Sequence, residues 1–346
     1  MTSEAVVSAQ FREALAGAYL HACEVELRAL KPGNVGIGAP GHAMCAEDFM
    51  TSAAVSVGAL VAPDLGLGER IYRAVAATRE KVACNTNLGI VLLCAPLLHA
   101  LLIPLSERGL RARLRCVLRS GAGVEDTQWL YHAIRLAAPG GLGRSRTHDV
   151  KDTPHVAVVT AMQAAAHHDR VALQYVTAYA DVFDYAVPLL WQYRERWNSD
   201  TWAAAAVFLS LLRRFPDSHI ARKYGVARAR DVSCIAAVLE AELSQASQPE
   251  EITQRLKEVD VEFKSAGINP GTTADLTVAS LLVYNLERLL STDGKDLPLS
   301  MLQGDRCPDR KGAQALGSNA YAAQASTGPY RVSTKTLGVS KNGSYR

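Results

Sequence analysis

Asp149 and Asp152 lie three residues apart in THDVKDT. That spacing puts two carboxylates on one side of a turn and suits Mg2+ shared with a phosphate chain; ordinary capping of loop backbone by aspartate is the competing reading. Asn85-Thr86-Asn87 stand immediately before the apolar stretch Leu88 to Ile103. A helix cap accounts for one of the three, which leaves polar side chains to present to a ligand. Glu24 sits among Leu20, Leu27 and Leu30 and is followed by Lys31 and Asn34 in a Gly/Pro loop, so these three can face the same cleft. Asp126, Asp169 and Asp181 extend the set of carboxylates, although acids at helix starts also simply favour the macrodipole. Asn269-Pro270-Gly271-Thr272-Thr273 leads straight into a helix, so Thr272 or Thr273 caps that helix or its N-terminus faces a phosphate. Arg222 and Lys223, after Asp217 in a short basic turn that ends at Gly225, are candidates for anion contact.

Other patterns exclude chemistry. Gly36-Ile37-Gly38-Ala39-Pro40-Gly41 fits the spacing of a dinucleotide loop, but a helical segment precedes it and Pro40 sits inside the turn, where that loop needs a strand and an opening helix. The phosphate-binding, zinc-protease and serine-hydrolase signatures are missing. Arg111, Arg115 and Arg119 share one helical face and read as solvated, and neighbouring His167 and His168 point apart. Seven scattered cysteines, without a C-x-x-C pair or metal-ligand spacing, read as reduced thiols of a cytoplasmic protein.

The elements that must position these residues are helices. The chain is 49% hydrophobic but only 6% aromatic, with Ala and Leu filling most apolar positions, and period-two alternation is absent. Helical periodicity covers roughly 4–30, 46–62, 67–80, 88–103, 107–119, 124–138, 154–168, 170–186, 201–215, 228–246, 249–265 and 273–290. Gly, Pro and Asn gather at 31–44, 84–89, 139–154 and 265–276, so the expectation is an all-α protein. A single large helical catalytic domain, 1–302, presents functional loops, and a flexible tail of Gly, Ser, Ala, Gln and Thr covers 303–346. The net charge is +3, but the tail alone carries seven Lys/Arg against two Asp, so residues 1–302 sum to −2. Dedicated nucleic-acid binding is not expected of such a body. The run from Leu88 to Ile103 contains Pro96 and His99 and is too short to span a bilayer, so no membrane partner is expected. Leu/Ala faces permit a homodimer.

KPGNV, NTNLGIVLLCAPL, YHAIRLAAPGGLG, HDV, Arg170 with Gln174-Tyr175, DSHIARKYG and NPGTTADL together, in this order, resemble the triphosphoribosyl-dephospho-CoA synthase family over about residues 10–290. The resemblance implies an all-helical cytoplasmic transferase in which ATP donates a phosphorylated ribosyl group with loss of adenine, and the 2′-hydroxyl of 3′-dephospho-CoA accepts it. It further implies Mg2+ with the phosphates. Glu24 or Asp126 would then be the base, Asp149 would belong to the catalytic set, and Asp149, Asp152 and Asp275 would hold the metal. Lys31, Asn34, Asn85, Thr86, Asn87, Arg222, Lys223, Asn269, Thr272 and Thr273 would hold substrate and phosphate. Two blocks depart from the better-known branch: Asn-Thr-Asn-Leu-Gly stands where Asn-Thr-His-Lys/Arg-Gly is expected, and Pro139 to Gly143 replace a Gly-Arg-Gly-Glu stretch. The variant blocks look like those of a divergent branch from organisms with methanopterin-dependent one-carbon metabolism. A phosphoribosyl pyrophosphate donor and a pterin precursor are therefore possible substrates, and a non-catalytic nucleotide-binding accessory protein is the alternative.

Overall fold

A helix that is apolar on every side has to be enclosed by others, and Leu88–Leu102 is such a helix: all of it except Gly89 is buried. The computed structural model describes residues 7–292, and the expectations for the tail lie outside the described residues. The order is α1 (Ala9–Arg28), α2 (Ala46–Leu60), α3 (Leu67–Val82), α4 (Leu88–Leu102), α5 (Leu110–Ser120), α6 (Val124–Ala137), α7 (Val158–Ala165) and α8 (Arg170–Thr177). After a π-helical turn (Asp181–Ala186) follow α9 (Val187–Trp197), α10 (Asp200–Arg214), α11 (Ser218–Tyr224), α12 (Val226–Gln245), a 3-10 turn (Pro249–Ile252), α13 (Thr253–Ser265) and α14 (Gly271–Thr292). The described residues hold two isolated bridges, Gly36 to Ala39 and Gly41 to Met44, and no strand, so the fold is all-α. No helix among them is long and apolar enough to cross a membrane.

α4, the run Ala203 to Leu212 of α10, and α14 form the centre of the core. α4 carries Pro96 in its interior, which cannot donate to the carbonyl of Leu92 four residues earlier. The Tyr175 hydroxyl donates to that Leu92 oxygen at 2.6 Å, and the Tyr179 hydroxyl donates to Leu93 O at 2.8 Å. The two tyrosines thus repair a buried break in the central helix and tie α8 to it. Arg113 does the same at the other end of α4: its guanidinium donates to the carbonyls of Ala100, Ile103 and Leu105. Arg70 likewise donates to Leu60 and Leu65 at the end of α2.

Most helices fall where the periodicity places them. Three differ. The stretch 170–186 breaks at Ala178 and Tyr179, both left-handed, before the π turn. There Asp181 accepts from Arg170 Nε (2.7 Å), Arg170 Nη2 (2.9 Å) and Gln174 Nε2 (2.6 Å), a buried knot that fixes the turn. α9 starts directly on that turn with Pro188 in its first positions, where a missing N–H does no harm. α11 is only seven residues long and mostly polar, so it leaves almost no periodic signal. Of the basic face on α5, Arg115 and Arg119 are exposed as expected, while Arg111 pairs with Asp184 of the π turn.

Candidate active site

The Gly/Pro/Asn loops converge on one cavity of about 280 Å³. The first turns of α4, α8 and α14 open on it, together with α11, the end of α1 and the loop 138–157. Helix N-termini carry partial positive charge and unpaired N–H groups, so this convergence favours an anion. One half of the wall is apolar, with Leu130, Ile134, Met162 and Val171. The other half is polar, with Glu26, Asn34, Asn269, His219, Arg222 and Asp275.

Most charged groups of the polar half already have partners. Glu26 pairs with Lys31 at 3.1 Å, both side chains almost wholly buried, and Lys31 also donates to Val35 O at 3.0 Å. Burial raises the Glu26 carboxyl and lowers the Lys31 ammonium from their ordinary values, each effect opposed by the other partner. Asp169 caps α8 through Ala172 N and accepts from Arg222 at 3.3 Å, while Arg222 also donates to Gly140 O. Asp217, behind the wall, caps α11 and accepts from both the N–H and the hydroxyl of Thr273, which locks α11 to α14. Asp149 accepts from Ser145 N (2.6 Å) and Lys151 N (2.9 Å); these backbone bonds hold its carboxyl below the usual range and fold the loop around it.

Two half-buried ionisable groups of the wall differ: Asp275 and His219 make no side-chain hydrogen bond or ion pair among the described residues. Asp275 lies against the start of α4, so closely that a Cβ on Gly89 would fall 1.9 Å from its Oδ2. Burial first, then the carboxylates of Asp217, Glu26 and Asp169, push the Asp275 carboxyl well above its ordinary value. Burial, Arg222, Lys223 and His42 push the His219 ring down to about 4, so it is neutral at physiological pH.

Of the residues expected from sequence, Asn34, Asn85, Thr86, Asp149, Arg222, Asn269, Thr272 and Asp275 line the cavity. Asn34 donates to Asn269 Oδ1 at 2.9 Å, and Asn85 also caps α4 at Leu88 N. The others stand elsewhere. Glu24 points to solvent and pairs with Arg28, because two residues along a helix turn a side chain to the far face; Glu26 takes the place expected of it. Asp126 accepts from Gly68 N and Gly123 N and so joins the starts of α3 and α6. Asn87 donates to Thr78 between helices, Thr273 is held by Asp217, and Lys31 stands behind Glu26. Lys223 lies over the Tyr224 ring. Asp152 is exposed off the wall. No group of three His, Cys, Asp or Glu is placed to hold a metal among the described residues, so the set Asp149, Asp152 and Asp275 does not form a metal cluster. Asp169, one of the carboxylates that extend the sequence's candidate set, also lines the cavity, whereas Glu26 and His219 are not among the sequence's candidates; only the DSHIARKYG block gives a signal, for His219.

Residues 12–293 match the family model of ATP:dephospho-CoA triphosphoribosyl transferase. No curated protein matches the chain. A solved structure from Archaeoglobus fulgidus, described as a candidate triphosphoribosyl-dephospho-CoA synthase, shares the fold with a TM-score of 0.52. It is 22% identical and covers 67% of this chain and 96% of its own. With a model match over most of its length, the chain belongs to the ATP:dephospho-CoA triphosphoribosyl transferase family.

Proposed function

We propose that this transferase is a pentosyltransferase that moves a phosphorylated ribosyl group onto a hydroxyl of a cofactor precursor. The donor is ATP, as in its family, or phosphoribosyl pyrophosphate; the acceptor is CoA-like or a pterin. One observation carries this reading: Asp275, an unpartnered carboxylate, is held over Gly89 at the floor of a cavity ringed by helix N-termini. Ribosyl transfer passes through a cation-like C1; the positive charge that develops there offsets the burial that raises the Asp275 carboxyl, so its ionised form stabilises the transition state more than the ground state. The helix N-termini and Arg222 offer the donor's phosphates a positive environment, and the apolar half offers a dry surface for a flat ring. Asp149 spends both oxygens on backbone and Asp152 stands off the wall, so Mg2+ is read as part of the substrate, carried on the phosphates.

The test is mass spectrometry of the full chain incubated with Mg2+ and either ATP plus 3′-dephospho-CoA or phosphoribosyl pyrophosphate plus a pterin precursor. Adenine release in the first mixture supports the family activity, and pyrophosphate release in the second supports a reassigned acceptor. ATP binding without turnover in either overturns the enzyme reading in favour of a nucleotide-binding accessory protein. That outcome would fit an Asn-Thr block that lacks its basic residue and histidine.

A further inference from the structure

His219 is, after Asp275, the second half-buried ionisable group of the wall without a side-chain partner among the described residues. Its ring lies against the start of α14, where a Cβ on Gly271 would fall 3.0 Å from Nδ1 and 3.8 Å from Asn269 Oδ1. Residue 271 therefore leaves space that the imidazole uses. The ring makes no hydrogen bond among the described residues, and removing it breaks no bond that holds the fold. The backbone N–H of the same residue is held by Asp217, which also grips Thr273, so the ring is fixed in position by its main chain.

From this placement we propose that His219 carries the proton of the transfer. The inference rests on the ATP-donor form of the function proposed above. The acceptor hydroxyl oxygen forms its bond to C1 as the bond from C1 to the adenine nitrogen breaks, and that electron pair leaves with adenine. The hydroxyl proton passes to the neutral ring of His219 and then to the departing adenine, so no proton is gained or lost overall. The neutral ring is free to take the proton, and its surroundings favour the release. Arg222 and Lys223 of α11 and His42 of the segment before α2 act on the ring through their charge, and Asp275 of α14 lines the same wall. Burial first, and then these three basic groups, disfavour its cation, and the proton is therefore handed on rather than kept.

The experiment compares the full-length chain with His219→Gln and His219→Ala, reading adenine release from ATP with 3′-dephospho-CoA and, separately, ATP binding by calorimetry. The expected result is a kcat lower by about 10²–10⁴, with KM and ATP affinity within about threefold, and partial rescue of His219→Ala by added imidazole. Gly271→Ala, which crowds the ring, is expected to lower kcat and keep ATP affinity. Circular dichroism and melting of each variant separate these effects from misfolding. A His219→Gln enzyme with kcat within threefold of the parent, or a loss confined to KM, overturns this inference and leaves the transferase reading standing. Parent chain that releases only pyrophosphate from phosphoribosyl pyrophosphate also overturns it, because that leaving group needs no such proton. ATP binding without any turnover by the parent overturns both readings.

Discussion

Asp275 owes its place to a residue with no side chain. Gly89 occupies the position in the Asn-Thr block where any Cβ would meet the Asp275 carboxylate, at 1.9 Å from Oδ2 and 2.4 Å from Cγ. Gly89→Ala is expected to swing that carboxylate off its post and reduce turnover at least tenfold, while in an Asp275→Asn background the same change adds little, since the group it displaces is already disabled. Kinetics of the two single variants and the double variant check this. Asp275→Asn by itself is expected to cost about 10²–10³ in kcat and to stabilise the fold. A carboxyl raised above its unfolded value favours the folded state when protonated, and that stability is lost as the pH rises through the folded value. The melting temperature of Asp275→Asn should therefore exceed that of the parent at neutral pH. The gap should close in acid. A gap that widens toward low pH would mean that the parent's Asp275 has a cation partner in solution.

At the scale of elements, the central helix is a repaired one. Pro96 leaves the Leu92 carbonyl without its helical donor, and Tyr175 supplies the missing hydrogen bond from α8. Tyr175→Phe leaves a buried acceptor unsatisfied and is expected to cost about 1–3 kcal/mol by denaturant unfolding. In a Pro96→Ala background the cost of Tyr175→Phe should shrink, because residue 96 then has an N–H to offer the same carbonyl. Equal costs in both backgrounds would show that Tyr175 matters through packing alone. The existence of α4 was legible from its unbroken apolar run; the reason for Tyr175 was not, because nothing in a sequence pairs a tyrosine with a carbonyl 83 residues away. The same limit hid α9 and α11. A π turn running into Pro188 breaks the helical period, and a seven-residue polar helix has too few turns to show one.

Over the whole molecule, sequence told which loops gather but not which side chains remain available once they have gathered. Loop composition alone pointed to the four segments that meet at the cavity. Whether an Asn, Thr or Asp in them faces a ligand depends on whether the fold has already used its polar atoms, and Asn87, Asp126 and Thr273 are all used. The charge distribution has the same character. Residues 1–302 sum to −2, and the polar half of the cavity is rich in carboxylates, so a polyphosphate donor meets an unfavourable average field. Cations near the cavity then decide its approach. Arg144 and Arg146 stand exposed on the loop whose Gly143, Ser145 and Asp149 line the wall, and Arg144 helps to hold the Asp149 carboxyl low. Replacing both arginines by alanine is expected to raise the KM for the nucleotide donor about tenfold at low salt, roughly 1.4 kcal/mol shared between two exposed charges, with kcat unchanged. Because these charges are open to solvent, the difference between parent and variant should fade as ionic strength approaches 1 M, where the screening length is about 3 Å. A KM difference that persists at high salt would place the arginines in direct contact with the bound donor, and no difference at any salt would put the phosphates at the helix N-termini alone.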